Sequence, residues 1–175
     1  PERERYIFRE GRGPNGEEPP NNWPSVFGGR GWTRVTEPDG TPGQWYLHIF
    51  DVTQPDLNWK HPEVVAEFHE ILRFWADRGV DGFRVDVAHG LVKDMAYPDL
   101  DNATTRMLAS SKMPNHAHWD RDGIHEIVRQ WRAVLDSYEG DRMMVAEAWV
   151  SPERLPLYLR PDEYHQAFDF DLLTA

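Results

Sequence analysis

The chain has 175 residues, 39% of them hydrophobic, and a net charge of −11 from 19 basic and 30 acidic side chains; it has no cysteine. That length suffices for one domain with a sizeable core, and the acidity speaks against a nucleic-acid surface. The missing thiols exclude disulfides, cysteine nucleophiles and thiolate metal sites.

No apolar run reaches the roughly 18 residues of a membrane span, and no basic-then-apolar leader opens the sequence. A cytoplasmic protein with neither a membrane nor a nucleic-acid partner is therefore expected. The sequence starts on Pro1 and closes inside the apolar run Phe168 to Leu173, so it reads as a section of something longer. Residues 1 to about 60 are rich in Gly, Pro and Asn, and no helical period survives there. Tyr6–Phe8 and Trp45–Phe50 are the only strand candidates. Trp23, Phe27, Trp32, Trp45 and Tyr46 favour an ordered, irregular, partly β excursion.

From residue 61 the pattern changes. Pro62 suits the first helical position. Val64, Val65, Phe68, Ile71, Leu72 and Trp75 recur at helical spacing, with Gly79 as a stop. Gly82 to Val87 reads as a strand. A loop of about 34 residues, containing Pro98 and Pro114, leads to a second helix through Ile124, Ile127, Val128, Trp131, Val134, Leu135 and Tyr138. Met143 to Trp149 reads as a second strand. A weaker third unit has Ser151 as N-cap, Pro152 at N1, a helix near Pro152–Leu159 and a strand near Ala167–Leu172. Helix–strand repetition implies crossovers, and hence parallel strands with helices outside. The fold class is α/β. No Gly-rich phosphate loop joins a strand to a helix, which favours part of a (β/α)8 TIM barrel over a nucleotide-binding sheet.

Parallel strands covered on both faces should be apolar throughout, yet the first strand carries Arg84 and Asp86 on one face, and the second carries Glu147. Both acids fall near strand C-termini, where barrel enzymes place their catalytic groups. On neighbouring strands about 4.8 Å apart, carboxyls at corresponding heights are separated by roughly 5 Å. Retaining glycosidases use that spacing, with one acid as nucleophile and the other as acid/base. The competing bland reading is a buried Arg84–Asp86 ion pair, with Glu147 paired elsewhere.

Asp81-Gly82-Phe83-Arg84-Val85-Asp86-Val87 resembles the nucleophile strand of the α-amylase family (glycoside hydrolase family 13), and Val145-Ala146-Glu147-Ala148-Trp149 resembles its general-acid strand. Gln54-Pro55-Asp56-Leu57-Asn58-Trp59 is similar to the signature of its α-glucosidase and oligo-1,6-glucosidase branch. Asn21 to Phe27 with Tyr46 to Phe50 is similar to the end of that branch's inserted B domain. The resemblance implies that residues 1–55 are the C-terminal part of the B domain and 56–175 a partial catalytic barrel of about strands 4 to 6. It implies Asp86 as nucleophile, Glu147 as acid/base and Arg84 as the group positioning Asp86.

The family's third acid, an Asp following a His after strand 7, and its Asn-His motif at strand 3 are both absent from these residues, so turnover by this chain alone is not expected. No cofactor is implied, and a calcium site, if any, would lie outside. Val87 resembles the residue found in enzymes acting on α-1,6 bonds, and His89 is expected at a sugar subsite. The expected partner is an oligosaccharide or disaccharide, with the oligomeric state open. Two alternatives remain: a transferase or isomerase of the trehalose or isomaltulose synthase type, and a non-catalytic sugar-binding or transporter-associated scaffold.

His116, His118 and His125 with Asp120 and Asp122 could suggest a metal site, but helix capping and a solvated loop are the expected reading, so no metal is assigned. His48 is expected to be structural. Asn102-Ala103-Thr104 is a glycosylation triplet of a kind common by chance.

Overall fold

The computed structural model describes residues 2–101 and 115–174; the Asn102-Ala103-Thr104 triplet and Pro114 lie outside them. The chain divides into two compact units, Pro1–Val64 with Asp94–Ser110 and Val65–Lys93 with Ser111–Ala175.

The first unit is built on β1 (Phe8–Arg9), β2 (Trp32–Thr36) and β3 (Pro42–Leu47), an antiparallel sheet in the order β1-β3-β2. The expected strands are present but shifted: β3 begins at Pro42 and ends at Leu47, short of Phe50. β2 was not anticipated. Only Trp32 is buried in it while Thr33, Arg34 and Val35 are half-buried, so the two-residue alternation that marks a strand is blurred. The β2–β3 turn closes on Asp39 Oδ1, which accepts from both the Thr41 main-chain N–H and its hydroxyl.

Asparagines organise the irregular part. Asn21 Oδ1 accepts from the Trp23 N–H at 3.0 Å and the Trp32 indole at 2.7 Å. Asn21 Nδ2 and the Trp23 indole donate to the carbonyls of Tyr97 and Pro98. Asn22 exchanges two bonds with Leu100. In the Gln54–Trp59 stretch, the Asp56 carboxylate accepts the Ile49 N–H at 2.6 Å, and Asn58 Nδ2 donates to the Glu4 carbonyl. These side chains satisfy main-chain groups that a loop would otherwise bury unpaired. His48 is buried between Thr33 and the Phe50 carbonyl, in keeping with a structural role.

The second unit follows the helix–strand repeat. It includes α1 (Pro62–Ala76, which starts in the first unit), β4 (Gly82–Val85), α2 (Ile124–Asp136) and β5 (Met143–Ala146), then α3 (Leu155–Tyr158), β6 (Gln166–Ala167) and α4 (Phe170–Thr174). The three strands are parallel, in the order β4-β5-β6, with Arg84 opposite Val145 and Val85 opposite Ala146. Gly82 is required by this pairing, because a β-carbon there would run into the Met143 carbonyl. Gly79 ends α1 at φ +84°, with its N–H on the Ala76 carbonyl, a conformation open to glycine at little cost.

In α2 the predicted apolar face is buried at Ile124, Ile127, Val128, Trp131, Val134 and Leu135, whereas Tyr138 falls beyond the helix end, is half-buried and donates its hydroxyl to Asp77. In α1 the outcome differs. Val64, Leu72 and Ala76 are buried and Phe68 stacks on Trp131, but Ile71, Phe74 and Trp75 are exposed. Trp75 therefore sits off the core face to which the spacing assigned it.

The third unit also departs from expectation. Ser151 opens a turn rather than capping, Arg154 precedes α3, and the helix has four residues. The strand expected near Ala167–Leu172 stops at Ala167 and turns into α4 at Phe170. Among the described residues, no helix is long and apolar enough to cross a membrane.

Leu135 is fully buried and Ile71 is not, so Leu135→Ala should cost about 2–5 kcal/mol and Ile71→Ala less than about 1 kcal/mol. Thermal midpoints of the two variants check this; equal midpoints would place the core elsewhere.

Candidate active site

The strand register sets the site. β4 and β5 end level with one another, at Val85 and Ala146, and the Glu147 N–H continues the pairing by donating to the Val85 carbonyl. Asp86 and Glu147 thus leave the sheet side by side at the C-terminal ends of adjacent strands. One guanidinium joins them. Arg84 Nη1 lies 2.8 Å from Asp86 Oδ1, and its Nη2 lies 3.1 Å from Glu147 Oε2. The alternative of an Arg84–Asp86 pair with Glu147 elsewhere does not occur, since Arg84 holds both acids. The two carboxylates differ in surroundings: the Asp86 side chain is 70% exposed and that of Glu147 is 14% exposed.

Glu147 has two further donors. The Val87 main-chain N–H reaches Oε2 at 3.0 Å, and the Trp149 indole N–H reaches Oε1 at 3.2 Å. The first depends on an unusual backbone: Val87 adopts φ 46° and ψ 43°, a left-handed conformation that is an outlier for a β-branched residue and costs on the order of 1–3 kcal/mol. It is sustained by the Val87 bond to Glu147 Oε2 and by the Ala88 N–H on the Glu147 carbonyl. Periodicity gave no sign of this turn. The role of Trp149 could have been suspected from its place two residues after Glu147.

His89 was expected to meet sugar, but the structure gives it no surface open to solvent. Its ring stacks on Trp119 with centroids 5.0 Å apart, and the Trp149 N–H donates to its Nδ1 at 3.4 Å. His116 and His118 also pack on Trp119 and are buried, so the reading as a solvated loop is corrected. Asp120 and Asp122 do not cap α2. Arg154 takes both, at 2.8 and 2.6 Å, and the buried Tyr158 hydroxyl donates to Asp120. His125 pairs at 2.6 Å with Glu163, which is fully buried and also holds Arg129 and Arg160. A forked guanidinium satisfies these carboxylates better than a helix end would. Among the described residues, no group of three or more His, Asp or Glu is arranged to hold a metal ion.

Aromatic side chains flank the carboxylates. Trp149 stacks on Phe170 at 3.5 Å, and Arg84 lies 5.9 Å from the Phe168 ring centre. A separate groove of about 400 Å³, lined in part by Val150, Leu155, Leu159 and Phe168, includes neither acid.

The family model described as alpha amylase, catalytic domain, matches residues 1–175. The chain belongs to the alpha-amylase family. It is 39% identical to an oligo-1,6-glucosidase of Parageobacillus thermoglucosidasius over 98% of its own length and 29% of that protein's. The structure superposes with TM-score 0.80 and 35% identity on the trehalose-6-phosphate hydrolase of Bacillus licheniformis, covering 99% of this chain and 29% of that one. With the trehalulose synthase of Pseudomonas mesoacidophila the values are 0.81 and 33%, at the same coverage. The chain thus spans less than a third of each of these relatives.

Burial drives the His89 imidazole down to about 3, with the Lys93 cation adding to the shift and a main-chain interaction with Glu147 opposing it. Burial likewise lowers His116 to about 4 and holds His118 well below its usual range. In the unfolded chain each returns to about 6.5. The unfolded state therefore binds more protons below pH 6.5, and stability falls as pH drops from there toward 4, by about 1.4 kcal/mol per pH unit for each histidine. Thermal midpoints between pH 7 and 4 should decline, and His116→Asn should lessen the decline; an unchanged slope in that variant would remove His116 from the account.

Proposed function

We propose that this chain supplies two of the reacting groups of a retaining glycoside hydrolase that releases α-glucose from short α-1,4- or α-1,6-linked glucosides. The observation that carries the reading is the single Arg84 guanidinium between Asp86 and Glu147. Two carboxyls held on one guanidinium stand close enough to act on the same sugar carbon, in keeping with the double displacement that carboxyls about 5–5.5 Å apart carry out. In the proposed cycle, Glu147 protonates the glycosidic oxygen while Asp86, the more open acid, attacks the anomeric carbon and forms a glycosyl ester. Glu147 then takes a proton from water, which attacks the same carbon and frees Asp86. Arg84 holds both acids at the ends of their strands, and Val87, beside Asp86, is proposed to bear on linkage choice.

In this reading the parallel β4-β5-β6 sheet with its helices is an arc of a (β/α)8 barrel, and residues 1–55 are the end of the inserted B domain. The third acid is supplied by residues other than these, and no cofactor takes part. The setting is cytoplasmic, with an oligosaccharide or disaccharide as substrate and neither nucleic acid nor membrane as partner.

The likeness to a trehalulose synthase favours one second reading, in which a sugar hydroxyl replaces water in the second step. Proton NMR of the products made by the whole protein separates the two: free glucose appearing first as the α-anomer, against a rearranged disaccharide. Asp86→Asn should abolish turnover with an unchanged melting profile, and near-full activity in that variant would exclude the nucleophile role. Glu147→Gln should slow hydrolysis of unactivated glucosides about 10²–10⁴-fold. With an activated leaving group the first step is spared and the second stalls, so a burst of leaving group is followed by an accumulated glycosyl-enzyme, and the absence of that burst would contradict its role as acid/base.

A further inference from the structure

His89 is a buried polar side chain placed three residues after one proposed catalytic acid and tied to the chain two residues after the other. Its Nδ1 receives the Trp149 main-chain N–H, and the Trp149 indole donates to Glu147 Oε1. Its own carbonyl accepts from the Asp120 N–H at 2.8 Å, and its ring lies against Trp119. Gly90 allows the Trp119 contact, because a β-carbon there would stand 2.7 Å from the indole. Three segments that follow different elements therefore meet at this ring: the turn after β4, the 116–120 loop and the segment after β5.

We infer that His89 is a positioning residue that sets the general acid: by anchoring the Trp149 main chain, it aims the Trp149 indole at Glu147. The inference rests on the glycosidase reading for its catalytic consequence and on the hydrogen bonds alone for its structural one. His89 itself touches neither substrate nor the reacting atoms. Without the anchor, the 148–149 backbone is free to turn, the indole loses its line to Oε1, and Glu147 keeps only the Arg84 and Val87 contacts. A donor lost from a carboxylate favours its protonated form, so the alkaline limb of the pH–rate profile moves to higher pH. Misaiming the acid by a fraction of an ångström lowers kcat by about ten- to a hundredfold, with little change in KM.

The test uses the whole protein. His89→Phe keeps the ring stack on Trp119 but removes the hydrogen-bonding nitrogen, while His89→Asn restores a polar atom near the position of Nδ1. The expected result is a fall in kcat and an alkaline shift of the upper limb in His89→Phe, with KM within about twofold, and recovery of most of both in His89→Asn. Trp149→Phe should reproduce the shift, and the double variant should add nothing further to it. The indole N–H resonance of Trp149, assigned as the one lost in Trp149→Phe, should move in His89→Phe and return in His89→Asn.

An unmoved indole resonance overturns the inference whatever the activity. A moved resonance with an unshifted pH profile overturns the catalytic consequence while leaving the anchor. Absence of glycoside turnover in the unmodified protein instead defeats the glycosidase reading, and the resonance still decides the anchor. If His89→Phe does not fold, His89→Leu, which also lacks the hydrogen-bonding nitrogen, takes its place in the same comparisons; an effect of that substitution that adds to the effect of Trp149→Phe would overturn the inference.

Discussion

The site depends on one guanidinium shared by two carboxyl groups. Arg84 touches Asp86 and Glu147 with separate nitrogens, and without it two carboxylates would stand together at the ends of adjacent strands. Each attraction is worth about 1 kcal/mol at 4 Å in a water-like medium and about 4 kcal/mol where the surroundings are less polarisable. The Arg84 side chain is 51% exposed, so the lower figure governs and the trio adds little to global stability. What it supplies is placement. A planar fork fixes two acids at once, which a lysine ammonium would not do with the same directionality.

Around that trio, main-chain groups complete the arrangement. Val87 holds a left-handed turn that its side chain disfavours, and the return is an N–H aimed at Glu147. Strain of this kind persists only where neighbours over-determine it, and here Ala88, His89, Gly90 and Trp119 are all buried. Three buried histidines, neutral at pH 7, pack on Trp119 as one aromatic support. That support loses its advantage in acid, when the unfolded chain gains protons that the folded one refuses. Rigidity beside the acids and sensitivity to low pH thus share one cause, the burial of imidazole.

The first unit solves a different problem. Its chain is too rich in Gly, Pro and Asn to satisfy main-chain groups by long ladders, so side chains do it. Asn21, Asn22, Asp56 and Asn58 each bind main chain at a distance in sequence. In the Gln54–Trp59 stretch, Asp56 and Asn58 tie the loop to Ile49 and Glu4 through such bonds.

The sequence by itself determined the parallel α/β repeat, both long helices, and the polar residues that interrupt two apolar strands. Those features follow from spacing, which is local and periodic. It also placed Asp86 and Glu147 near strand ends, and set Arg84 on the same face as Asp86 because residues two apart share a face. Tertiary structure alone decided the rest. It left Trp75 outside the core, turned Phe170 into a helix start, bent Val87 into the left-handed region, and buried His89 against Trp119 and Trp149. It also gave Arg84 two partners instead of one. Each of these depends on which distant residue arrives alongside, and periodicity within one element holds no information about its neighbour's side chains.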